Sequence, residues 1–303
     1  MSEFSLEMLN EFINKSSIHE FRIQNNNASM YNLFIKRDDL IHNEFSGNKL
    51  RKLKFNLLAH FENNCQGILT FGGAYSNHLL ATASACHFLE IESVGIVRGE
   101  ELNVNSNRLL KRCGELGMSL VFLSRNEFDQ QKKNSGKNCF FGKEFWVVPE
   151  GGANHEGILG CREIVSNADF DFAVVAQGTT VTSLGILLEL TDFQKIIVVP
   201  VLKGYDSIGE MKKLLGNDQL FESLVDKIIV LDQFHFGGYA KASEELNCFI
   251  SDFNGMNQFE IEPVYTGKAM YALSQWLNLE KDIENKKVLF VHTGGLSRYN
   301  LLF

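Results

Sequence analysis

A chain of 303 residues with 45% hydrophobic and 22% charged residues can bury a substantial core, which excludes both global disorder and a small module held together by staples. Against 37 acidic residues stand 29 basic ones, a formal charge of −8, so the surface as a whole is not drawn to phosphate backbones. The length fits two domains or one large α/β unit.

Cys65, Cys86, Cys113, Cys139, Cys161 and Cys248 form no CxxC pair and read as thiols of a reducing compartment. The first residues, MSEFSLEMLNEF, carry glutamates where a secretory signal carries basic residues, and Asp169, Asp171 and Gln177 interrupt the most apolar later stretch. The expectation is a cytoplasmic protein with no membrane and no nucleic-acid partner. Its eight histidines contain no HExxH, and His60 and His87 read as core-edge or surface residues, so no metal site is expected.

In chain order, YNLFIKRDDL (Tyr31 to Leu40) reads as a strand entering a charged turn. SGNKLRKLKFNLL then places Ser46 ahead of a helix that begins near Gly47 or Asn48, with Lys49 in or beside its first turn. GILTFGG (Gly67 to Gly73) is a short apolar run closed by glycines, and a helix follows from Asn77. The phrase recurs: SVGIVRG with NRLLKRCGELG, then SLVFLS, EFWVVPEGG with NHEGILGCREIV, FDFAVVAQGTT with VTSLGILLEL, and KIIVVPVL with SIGEMKKLL. DKIIVLD and KKVLFVHTGG add two further strands. Arg125 to Lys143 reads as an exposed loop with an irregular helix. Strands without polar alternation, separated by helices, predict α/β architecture around largely parallel sheet covered on both faces, with ligands at the carboxyl ends of the strands.

Two strand-to-helix turns carry chemistry. AQGTTVTSLG gathers backbone N–H groups and the hydroxyls of Thr179, Thr180 and Thr182, which suits a phosphate dianion; plain turn packing is the other reading. The turn lacks both GxxxxGK[ST] and GxGxxG, which favours a cofactor phosphate over ATP or a dinucleotide. GGAYSNH puts Ser76 and Asn77 where one N-cap is needed, so one of the two is left for a ligand.

Together IKRDDL, SGNKLRKL, GGAYSNH, PEGGAN, the threonine turn, PVYTGKAM and VHTGG resemble, in this order, the fold type II pyridoxal-phosphate enzymes. The resemblance is to the branch containing 1-aminocyclopropane-1-carboxylate deaminase and D-cysteine desulfhydrase, and it runs from about Ile35 to Leu296. It implies two three-layer α/β/α domains with pyridoxal 5′-phosphate in the interdomain cleft: a large domain of residues 1–51 and 155–303 and a smaller one of residues 52–154. Lys49 matches the lysine that carries the cofactor, Asn77 the residue beside its phenolic oxygen, and Gly178, Thr179, Thr180, Val181 and Thr182 the phosphate loop. Thr293 matches the residue beside the pyridine nitrogen. Ser76, Asn77, His78 and Tyr265 match substrate-binding positions, and Lys49, Ser76, Tyr239 and Tyr265 the catalytic set. A homodimer acting on a small amino acid is implied as well.

Within the branch, deaminases carry an acidic residue after the tyrosine of PVYTGK and a leucine at the position of Thr293. Here Thr266 and Thr293 agree with the desulfhydrase pattern, which implies β-elimination of D-cysteine to pyruvate, ammonia and hydrogen sulfide. Alternatives are deamination of the cyclopropane amino acid to 2-oxobutyrate, elimination on L-serine or L-threonine, and a pyridoxal-binding homologue without turnover. Tyr75 stands where relatives have glutamine, beside Ser76, and the SRYNLLF tail ends sooner than theirs.

Overall fold

The computed structural model describes residues 2–24, 31–45, 47–133, 136–140, 142–279 and 285–295. Ser46 and the SRYNLLF tail lie outside the described residues. Among the described residues two compact units emerge, one formed up to Lys15 and over Ile41–Gly160, the other over Ser16–Leu40 and residues 161–295.

The first unit opens with α1 (Ser2–Ile13) and α2 (Asn48–Glu62), which pack on each other. There follow β3 (Gly67–Gly73), α3 (Asn77–Phe88), β4 (Glu92–Arg98), α4 (Arg108–Glu115), β5 (Ser119–Leu123), α5 (Arg125–Gln131), β6 (Gly136–Phe140), β7 (Lys143–Val148) and α6 (His155–Arg162). The strands β1 (Ile18–Glu20) and β2 (Asn32–Lys36) belong to the second unit. The sheet order here is β5-β4-β3-β7-β6, parallel except for β6 against β7. Successive residues of β3 are buried, so helices must cover both of its faces, and α2 and α3 pack on it.

The stretch from Arg125 to Lys143, read as an exposed loop with an irregular helix, holds a capped helix and an edge strand. Ser124 and Glu127 close a reciprocal capping box at the start of α5. Strand β6 alternates half-buried and exposed residues and pairs on one side only, so its sequence lacks the apolar run of a central strand.

The second unit continues with β8 (Phe172–Gln177), α7 (Val181–Leu187), β9 (Lys195–Pro200), α8 (Ser207–Leu215), α9 (Asp218–Glu222), β10 (Ile228–Val230), α10 (Glu244–Met256), α11 (Thr266–Leu279) and β11 (Lys287–Val291). Its sheet runs β1-β2-β11-β8-β9-β10, with only the β1–β2 pair antiparallel. Ile35, Val174, Ile197, Phe290 and Leu273 meet in its core. Strands β8 and β11 are neighbours, so the turns that leave their carboxyl ends, beginning at Gly178 and His292, emerge side by side.

The sequence reading sets residues up to 51 with the larger body. The compact units divide near residues 41 and 160, and α2 is one unbroken helix packed against α1, α3, β3 and β7. Lys49, on its first turn, belongs to the first unit.

Candidate active site

In the first unit, β3 ends at Gly73 and the chain turns into α3. Ser76 is the N-cap, in extended backbone, and its Oγ accepts the Leu79 N–H at 3.3 Å. Asn77 takes no part in the cap, and its Oδ1 is buried with no hydrogen-bond partner. A buried acceptor left this way has lost its water without replacement, a cost that a bound donor would relieve.

His78 is buried beside it, Nε2 lying 2.9 Å from Thr70 Oγ1. The single Thr70 hydroxyl proton goes to Val148 O at 2.9 Å, so Thr70 must accept, and His78 Nε2 carries the ring proton. Nδ1 is therefore a bare lone pair, and it too is buried without a partner. Burial, aided by the ammonium charges of Lys52 and Lys49, pushes the imidazolium down to about 3, so His78 is neutral near pH 7.

Those lysines open α2. Lys49 is half-buried, its ammonium donating to Asn48 Oδ1, and the buried Lys52 donates to Gly151 O at 3.3 Å. With Arg51 between them, three cations and no acidic residue in the first turn reinforce the positive end of the helix dipole, a field that suits an anionic ligand. Tyr75 is half exposed ahead of Ser76.

In the second unit, the threonine turn joins β8 to α7. Gln177 is fully buried and ties it from beneath: its Nε2 donates to Ser183 Oγ at 2.9 Å, its Oε1 accepts from Ser207 Oγ at 2.6 Å, and Ser183 Oγ donates to Thr180 O at 2.9 Å. Thr180 is buried and its hydroxyl lies 3.0 Å from Tyr205 Oη; Val181 and Thr182 are buried, while Thr179 is exposed. Gly178 faces the ring of Tyr265 so closely that a Cβ there would stand 2.7 Å from Tyr265 Cε1, which only glycine tolerates. Tyr265 Oη in turn donates to Tyr239 Oη at 3.4 Å, with the rings edge to face. Gly178 and both tyrosines picked from sequence thus lie together. Thr293 is buried just past β11, after His292, whose Nε2 meets Glu260 O at 2.7 Å.

Sequence reasoning missed Glu262. Its buried carboxylate accepts the N–H groups of Val264 (2.7 Å), Tyr265 (2.8 Å) and Thr266 (2.9 Å), closing the start of α11, while Thr266 Oγ1 accepts the Glu262 N–H at 3.0 Å. Gln177, Tyr205 and Lys268 were missed as well. The signal available was two charged residues, Glu262 and Lys268, inside the otherwise apolar IEPVYTGKAMYAL. Among the described residues no helix is long and apolar enough to cross a membrane, and no cluster of three His, Cys, Asp or Glu side chains could hold a metal ion.

No protein-family model matches the sequence. The chain is 32% identical over 293 residues to the bifunctional D-cysteine desulfhydrase/1-aminocyclopropane-1-carboxylate deaminase, mitochondrial, of Arabidopsis thaliana, covering 87% of this chain and 72% of that protein. A Pyrococcus horikoshii protein named as a candidate 1-aminocyclopropane-1-carboxylate deaminase is 32% identical over 282 residues, with 88% and 85% covered. The fold is that of a crystal structure of a 1-aminocyclopropane-1-carboxylate deaminase homologue, at a TM-score of 0.74 and 24% identity, with 95% of this chain and 93% of that one covered.

Proposed function

Since the chain belongs to the 1-aminocyclopropane-1-carboxylate deaminase/D-cysteine desulfhydrase family of pyridoxal-phosphate lyases, we propose that it eliminates the β-substituent of a small D-amino acid, with D-cysteine as substrate. One water and one D-cysteine give pyruvate, ammonia and hydrogen sulfide.

The observation that carries the choice of reaction is the start of α11. The residue after Tyr265 is Thr266, fully buried, and its hydroxyl is engaged with Glu262. The carboxylate nearest that position, Glu262, is held by three backbone N–H groups and is not available as an acid or base. Opening a cyclopropane needs such a group more than the departure of a thiolate does.

The residues fit pyridoxal phosphate. The buried, unpartnered Asn77 Oδ1 marks an amide that suits the cofactor's phenolic edge, whichever way the amide is turned. The Gly178–Thr182 turn, hydroxyl-lined and braced by Gln177, would hold the phosphate, and the Thr293 hydroxyl would stand at the ring nitrogen. Lys49 would carry the cofactor. When bound, pyridoxal phosphate supplies an electron sink for the charge left on the substrate's α-carbon. Lys49, once the substrate's amine had displaced it, would be a free amine able to take the α-proton, with a tyrosine as the other candidate base. Ser76 has its hydroxyl proton to give to the substrate carboxylate while its lone pair holds the Leu79 N–H. Tyr265 and Tyr239 pass a proton toward the departing sulfur. A neutral hydroxyl at Thr293 would hold the ring nitrogen less protonated than a carboxylate would, a setting that would favour elimination over transamination. A cytoplasmic homodimer is part of the same proposal.

The test incubates cofactor-loaded protein with D-cysteine, L-cysteine and 1-aminocyclopropane-1-carboxylate, assaying sulfide, pyruvate and 2-oxobutyrate. Sulfide with pyruvate from D-cysteine alone is expected, and Lys49→Ala should lose both product and the visible absorbance of the bound cofactor. Formation of 2-oxobutyrate without sulfide, or products from the L enantiomer, would overturn the assignment.

A further inference from the structure

Lys268 breaks two local rules. It lies in the first turn of α11, where the helix dipole disfavours a cation, and its side chain is completely buried. Burial pulls its ammonium down to about 8 against the opposing pull of Glu262. What holds a cation there is one loop: Lys268 Nζ donates to His235 O at 2.9 Å and to Gly238 O at 2.7 Å.

That loop is itself held in unusual backbone. The φ angles are 51° at Phe236, 90° at Gly237, 116° at Gly238 and 55° at Ala240. Two of these residues carry a Cβ, and such conformations persist where the surroundings over-determine them. His235 Nδ1 accepts the Gly237 N–H at 2.9 Å, and Tyr239 rides between Gly238 and Ala240. The two ends of one short motif therefore each hold one tyrosine: Glu262 takes the N–H of Tyr265, and Lys268 takes the carbonyls that flank the approach to Tyr239.

We propose that Lys268 is a positioning residue whose ammonium, through the His235 and Gly238 carbonyls, fixes Tyr239 against Tyr265 and so sets the rate of the step these hydroxyls serve. The inference rests on the reading of the two tyrosines as reacting groups.

The test pairs hydrogen–deuterium exchange of cofactor-loaded Lys268→Met and Lys268→Gln proteins with a kinetic cycle on D-cysteine that includes Tyr239→Phe. Exchange over residues 235–241 should accelerate about tenfold in Lys268→Met with α11 unchanged, and Lys268→Gln, which keeps N–H donors, should fall between. In the cycle, Lys268→Met should lower kcat/KM about tenfold when Tyr239 is present and less than about twofold in Tyr239→Phe, with the loss in kcat. Unchanged exchange, or equal losses in both backgrounds, would overturn the positioning role. Where Lys268→Met does not fold, Lys268→Gln carries both readouts. Exchange does not depend on substrate, so a loosened loop in a protein inactive on every amino acid tried would refute the assigned reaction and leave the positioning role standing.

Discussion

The starts of α3 and α11 each gather three polar side chains and treat them in opposite ways. At α3, Ser76 caps the helix, while Asn77 Oδ1 and His78 Nδ1 are buried without partners. At α11, both carboxylate oxygens of Glu262, the Thr266 hydroxyl and the Lys268 ammonium are all hydrogen-bonded inside the protein. A folded chain tolerates buried acceptors without partners at few places, and ligand sites are among them. The α11 turn has the character of frame, its polar groups spent inside the protein; on the proposed reading, the bare acceptors of the α3 turn are the ones that meet the ligand.

The sharpest way to break this comparison is acid. His78 is neutral in the fold, with its imidazolium pushed down to about 3, while the unfolded chain protonates it in the ordinary histidine range. A depressed folded value contributes stability that is complete above that range and is lost as pH falls toward 3, at up to about 1.4 kcal/mol per pH unit for the one proton. Relative to His78→Asn, the wild type should lose about 2 to 3 kcal/mol more in urea unfolding between pH 7 and pH 4.5. Equal losses would mean that His78 is not buried as a neutral acceptor.

Much of this frame was legible in the sequence, for a physical reason. The parallel strands β3, β8, β9 and β11 are covered on both faces, so each reads as a largely apolar run, and the glycine turns after β3, β8 and β11 mark where those strands end. What was not legible depends on partners far away along the chain. The His78 tautomer is decided by a bond between Thr70 and Val148, 78 residues apart, and Lys268 meets its carbonyls 33 and 30 residues upstream. Strand β6 and helices α10 and α11 escaped as elements: the first pairs on one side only, and the other two lie among motifs read for chemistry.

A smaller effect probes the saturated turn. Glu262→Gln replaces an acceptor-only group by one whose amide hydrogens face the N–H groups of residues 264 to 266, so at least one buried donor loses its partner. The expected cost is about 2 kcal/mol of stability, read by chemical denaturation without cofactor. Loss of cofactor affinity with stability unchanged would instead make Glu262 a ligand-facing group and erase the contrast between the two turns.

The smallest effect is the most discriminating, because its sign reverses between states. Asn77→Ala deletes an oxygen that the protein itself leaves unsatisfied, so in the cofactor-free protein the change should be neutral or stabilising, within about 1 kcal/mol. With pyridoxal phosphate added, the same deletion removes a partner of the bound molecule and should weaken its affinity about tenfold, as followed by absorbance titration. A scaffold residue cannot produce that pair of results, since removing it costs stability whether or not anything is bound. Should Asn77→Ala destabilise the cofactor-free protein by more than about 1.5 kcal/mol, the amide belongs to the frame, and the bare acceptors of α3 no longer mark where the ligand sits.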